Sequence, residues 1–80
     1  MLKVGDRVRV VQVFTGEQER YLGLQGMVES VNVGDVVGFG NVEFAKVFFG
    51  YGLDGKPRTW AFMAQQLSVV EQARITREEW

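Results

Sequence analysis

The sequence predicts an all-β domain of five short strands. Three observations lead there: valine, phenylalanine and glycine dominate residues 1–70, proline occurs once, and no ten-residue window keeps apolar residues at helical spacing. What remains is a series of short apolar runs broken by glycine, each long enough for a strand and too short for a helix.

DRVRVVQVF, residues 6–14, is the first strand. Val8 and Val10 share one face and Arg7 and Arg9 the other; Val11 and Val13 then switch the phase, as a bulge or strong bend does to a period of two. TGEQERYLG, residues 15–23, is polar and reads as a loop of about nine residues, a candidate recognition surface. In the second strand Gly26, Val28 and Ser30 alternate with Met27, Glu29 and Val31, so Val28 and Val31 both point inward only if a bulge intervenes. NVGDVVGFGN follows, either as a hairpin turning at Gly34-Asp35 or as an open loop that displays Val36, Val37 and Phe39.

VEFAKVFFGYGL makes a long third strand, with Val42 and Phe44 on one face and a phase change near Ala45-Lys46 that brings Val47, Phe49 and Tyr51 together. Asp54-Gly55 predicts a two-residue type I′ hairpin turn. KPRTWAFMA is the fourth strand, Trp60 and Phe62 sharing a face and Pro57 at its start, where a missing amide donor does least harm. AQQL suits a single 3₁₀ turn and SVVE a brief fifth strand. These elements describe a five-stranded SH3-like barrel over residues 1–71, with a one-turn 3₁₀ helix before the last strand. Residues 72–80 carry a capping-box pattern from Thr76 to Glu79 and are a short helix or tail.

Eighty residues make one domain, and a domain this small buries only about 60% of the surface its unfolded chain exposes. Its core must be dense in large side chains, and the 46% apolar content with ten aromatics meets that need. Nine basic and ten acidic residues leave a net charge of −1, so no bulk attraction draws the chain to nucleic acid or anionic lipid. MLKVGDRVRV carries charges where a signal peptide has its apolar stretch, and no run approaches the roughly 20 apolar residues of a membrane helix. A cytoplasmic protein with no membrane association is expected.

Without histidine or cysteine the usual general bases, nucleophiles and transition-metal ligands are missing, so neither an enzyme nor a metal or cofactor site is expected. Asp6, Asp35 and Asp54 each adjoin glycine, the setting in which an aspartate stabilises a turn. GYGLDGKPRT lacks both the Gly-Lys-Ser/Thr of a phosphate loop and the helix after it.

VGDRVRVV, GLQGMVESV, VEF and WAFMAQQLSVV together resemble the SH3-like barrels of the KOW type. The same segments are similar to the small ferredoxin-docking proteins of photosynthetic complexes, the E subunit of photosystem I and the S subunit of the NADH-dehydrogenase-like complex. In such barrels a glycine like Gly23 takes positive φ at a loop exit, and one like Gly26 lets neighbouring backbone pack closely. The resemblance implies a binding module for ribosomal RNA, RNA polymerase, ferredoxin or another protein surface, and it carries over Arg9 in VRV. Loop 15–23 is longer and more acidic than a KOW loop.

Phe44, Phe49 and Phe62 fit the core phase, which leaves Phe14, Tyr21, Phe39, Phe48, Tyr51, Trp60 and Trp80 to be placed. A cluster of Tyr21, Phe48, Tyr51 and Trp60, with Arg7 and Arg9, is the expected surface for a protein partner, because exposed aromatic anchors mark binding faces. The alternative is a nucleic-acid surface of Arg7, Arg9, Lys46 and Arg58. Glu29 and Glu43 are expected among the same outer faces, where they would pair with those cations. Self-association as a homodimer through an open strand edge is a third reading.

Overall fold

The computed structural model describes residues 2–72. The short helix or tail expected beyond residue 72 lies outside the described residues, as does Trp80. The chain forms β1 (Arg7–Val10), a 3₁₀ helix (Gly16–Tyr21), β2 (Gln25–Val36), β3 (Gly40–Tyr51), β4 (Pro57–Met63), a second 3₁₀ helix (Ala64–Gln66) and β5 (Leu67–Glu71). All neighbours are antiparallel, and the order across the sheet is β4-β3-β2-β1-β5.

β4 and β5 are therefore the two outer strands, yet only the three residues of the second 3₁₀ helix join them. A flat five-stranded sheet would hold its edges about 19 Å apart, whereas one 3₁₀ turn advances only about 6 Å. The sheet must curl to bring its edges together, although no ladder between β4 and β5 closes it. The inner face of the curl is the core: Val8 and Val10 from β1, Val28 from β2, Ala45 and Val47 from β3 and Phe62 from β4 are almost fully buried.

Several local expectations change. The first strand stops at Val10, because Val11 donates its N–H to the Gln66 carbonyl at 2.9 Å and the chain leaves the sheet there. Residues 15–23 are not an open loop: Gln18 donates to the Thr15 carbonyl and Leu22 to that of Glu19, making a 3₁₀ helix that buries Gln18 and Tyr21. The hairpin turns at Val37–Phe39, with positive φ at Gly38 and Gly40, and not at Gly34. Gly34 lies within β2, where a side chain would come within 3.4 Å of the Phe44 ring. Of the residues expected at that tip, Val37 and Phe39 are exposed and Val36 is half-buried.

The bulge expected in β2 is present, with Glu29 the extra residue between the Val28–Val47 and Ser30–Lys46 pairs, whereas the phase change expected in β3 near Ala45-Lys46 falls later, between Phe48 and Tyr51. β3 keeps a regular alternation from Phe44 to Phe48, so Ala45 and Val47 face the core and Phe44 does not join it. The Asp54-Gly55 turn is wider than two residues: Gly52 donates to the Lys56 carbonyl, Asp54 Oδ1 accepts from the Lys56 N–H, and positive φ occurs at Gly55 alone. Glu43 stands opposite Val33 on the Ala45 side of β3, away from Lys46.

The two glycines at the entry to β2, Gly23 before it and Gly26 within it, have different physical roles. Gly23 has a φ of 84° and donates to the Val10 carbonyl at 2.8 Å, turning the chain back toward β1. At Gly26 a Cβ would sit 2.6 Å from the Phe48 carbonyl oxygen and 2.6 Å from Val47 Cγ1. Backbone cannot yield as a flexible side chain can. Gly26→Ala is expected to destabilise the fold by about 1–3 kcal/mol through overpacking, read from urea unfolding midpoints. Gly16→Ala, which meets nothing within 4 Å, is the control and should stay within about 0.5 kcal/mol of wild type.

Candidate interaction face

Strand register sorts the candidate residues onto two faces. Arg7 pairs with Met27, Met27 with Phe48 and Phe48 with Thr59, so these four form one cross-strand row. Their neighbours in the register, Val8, Val28 and Val47, point into the core, which places the row on the outer face of the sheet. Arg9 lies two residues from Arg7, opposite Gln25 and Ser68. Lys46 lies two residues from Phe48, opposite Ser30 and Ala61. Glu71 faces Arg7 from β5.

An open groove of about 220 Å³ is set into this outer face, lined by Arg7, Gln25, Gly26, Met27, Phe48 and Gly50. Gly50 leaves its part of the wall without a side chain, whereas a side chain at Gly26 would point inward against Val47. Gly50, with a φ of 105°, interrupts the β3–β4 register between Phe48 and Tyr51. Tyr51 then packs its ring edge-on against Phe48 at 5.3 Å while remaining 71% exposed. A groove this small falls below the roughly 300–1,000 Å³ of small-molecule pockets. It suits a protruding side chain better than a cofactor, and among the described residues no His, Cys, Asp and Glu cluster could hold a metal ion.

The expected aromatic cluster thus divides. Phe48 and Tyr51 reach the outer face, but Tyr21 is only 4% exposed and stacks on Phe49 at 4.7 Å, with Trp60 at 5.7 Å and Phe62 at 6.0 Å. The 3₁₀ helix carries the Tyr21 ring over the core, so Tyr21 is a structural residue and not a surface anchor. Trp60, opposite Val47, is half-buried on the same inner side. Of the basic residues, Arg7, Arg9 and Lys46 share the outer face; Arg58 is exposed one position from Thr59, with its aliphatic stem beside Gly52.

Met27, Gln25 and Gly50 were missed from sequence. The signal for Met27 was present, since it alternates with inward-facing Val28. A second exposed apolar feature lies at the tip of the β2–β3 hairpin, where Phe39 stacks on Phe14 at 5.8 Å and Val37 is fully exposed.

No helix among the described residues is long and apolar enough to cross a membrane. No protein-family model, curated protein or solved structure matches the chain.

The division of the two tyrosines has a measurable consequence. Tyr21→Ala should cost about 3–5 kcal/mol of stability, the range for deleting a buried ring, while Tyr51→Ala should stay within about 0.5 kcal/mol. Denaturant titration of both variants checks this; equal losses would mean that the rings are not on different faces.

Proposed function

We propose that the chain is a cytoplasmic, non-enzymatic protein-binding module, an SH3-like barrel that acts as an accessory component or inhibitor by docking on a larger protein. The observation that carries the reading is the outer-face groove, where Met27, Phe48 and exposed Tyr51 adjoin Arg7 on the side of the sheet away from the core. Aromatic residues beside arginine are the composition of binding hot spots. The barrel reading draws on the strand order, the curl that a three-residue β4–β5 connection demands, and the 3₁₀ turn before the last strand. The non-enzymatic reading rests on a chain without histidine or cysteine.

A second reading, a KOW-like nucleic-acid or ribosome binder, is favoured by one observation: Arg7, Arg9 and Lys46 share their face with Phe48 and Tyr51. Salt separates the two. If the three cations neutralise phosphates, log affinity falls with log salt at a slope of about −2 to −3. The docking reading expects a shallower slope.

The direct test is an affinity pull-down from source-cell lysate, with and without nuclease. Wild type should recover a discrete protein that survives nuclease, and Tyr51→Ala or Phe48→Ala should each weaken capture about tenfold or more, a loss of about 1.4 kcal/mol. Recovery that depends on RNA or DNA would overturn the protein-docking reading in favour of the second.

A further inference from the structure

Two apolar features of opposite shape stand at opposite ends of the β2–β3 hairpin. One is concave, the groove among Met27, Phe48 and Gly50 with Arg7 in its wall. The other is convex, the turn Val37–Phe39, in which Val37 is fully exposed and Phe39 presents about half its surface. Between the Ser30–Lys46 and Val36–Gly40 pairs, β2 is hydrogen-bonded only to β3, and β4 begins to pair with β3 only at Phe44. The far end of the hairpin is therefore a two-stranded arm. Its tip is also ordered in advance, because the Phe39 ring stacks on Phe14, and a fixed ring loses less freedom on docking.

Charge on the two features is opposite. Residues 32–42, the outer part of the arm, contain a single charged side chain, exposed Asp35, and no cation. The groove offers Arg7, with Arg9 two residues along the same strand and Glu71 opposite Arg7 on β5. From Met27 to Val36 the strand runs nine residues, up to about 30 Å at the usual rise, and the tip lies against Phe14 with none of its residues lining the groove of its own molecule.

The geometry points to a second copy of this chain as the groove's occupant, the hairpin tip of one molecule seating among Met27, Phe48 and Gly50 of the next while Asp35 meets Arg7. The inference rests on the reading of the outer face as a protein-docking surface and names its occupant. The contact is heterologous, since it joins two different surfaces. A molecule that gives its tip still has an open groove, and association proceeds head to tail instead of stopping at a symmetric pair.

Complementary variants test this with purified full-length chain. Phe39→Glu spoils the tip and keeps the groove; Met27→Glu spoils the groove and keeps the tip. Both positions are exposed, and circular dichroism checks that each variant folds. In sedimentation equilibrium up to about 1 mM, where weak contacts become populated, wild type should gain mass steadily with concentration. Each variant alone should stay monomeric, and the equimolar mixture should form a species of two chains and nothing larger.

A wild type that stays monomeric throughout overturns the inference, as does a mixture of folded variants that forms no pair. Should the wild type stay monomeric while Met27→Glu abolishes capture of a protein from lysate, the self-association inference falls and the docking reading stands. Self-association that Met27→Glu leaves intact also overturns the inference, because the groove would then not be the seat.

Discussion

One buried side chain, Gln66, ties together segments that the sheet's own ladders leave apart. It is 1% exposed, and its amide oxygen accepts from the Met63 N–H at 2.9 Å while its amide nitrogen donates to the Gln12 carbonyl at 3.1 Å and to Gln18 Oε1 at 2.9 Å. Gln18 Oε1 accepts in turn from the Phe14 N–H, and the Gln66 carbonyl accepts from Val11. The junction of the outer strands is thereby fixed to the segment that leaves β1. A buried polar group left unpaired costs about 1–3 kcal/mol, and this network has several members that depend on the same amide. The curl of the sheet and the seat of the first 3₁₀ helix are coupled through it, and that helix places Tyr21 over the core.

A second constraint, at Gly26, shapes the outer face. Gly26 allows β2 to cross so close to β3 that the Phe48 carbonyl and the Val47 side chain occupy the space of a Cβ. Three residues on, the extra residue at Glu29 re-aims the strand so that Val28 and Val31 both face inward although they are three apart. Close approach and bulge together bring Met27 beside Phe48 and open the groove. The same features that let a small sheet curl around a small core therefore also form its outer recess.

How much of this was legible depends on whether a regular period held. Where strands alternate without interruption, residue type sufficed: Val8 and Val10 share the face opposite Arg7 and Arg9, Phe62 fits the core phase, and all three are buried, while the roles of Gly23 and Gly26 came from the resemblance to small barrels. A bulge adds one residue to one strand and leaves its partner unchanged, so composition signals a phase change in β3 without saying where along the strand it falls. That is why Phe44 was assigned inward. Tyr21 and Gln18 were hidden by polar company, although their three-residue spacing is the period of a 3₁₀ helix. The Gln66–Gln18 contact joins residues 48 apart, and no local pattern encodes it.

Size limits what the groove can do by itself. An aromatic side chain buries about 150–250 Å², worth about 4–6 kcal/mol at 25 cal/mol per Å², while association costs about 4–15 kcal/mol in lost freedom. A single anchor in a recess of about 220 Å³ therefore sets register without supplying tight affinity. Stable docking needs about 800 Å² from each partner, several times what one ring provides. A stable partner of the proposed docking face would have to extend over Tyr51 and toward Arg9 and Lys46, which lie on the same face within two residues of the groove's lining along β1 and β3. A partner reaching only the groove would bind transiently, and one that covered the row from Arg7 to Thr59 would gain both apolar area and a charged rim.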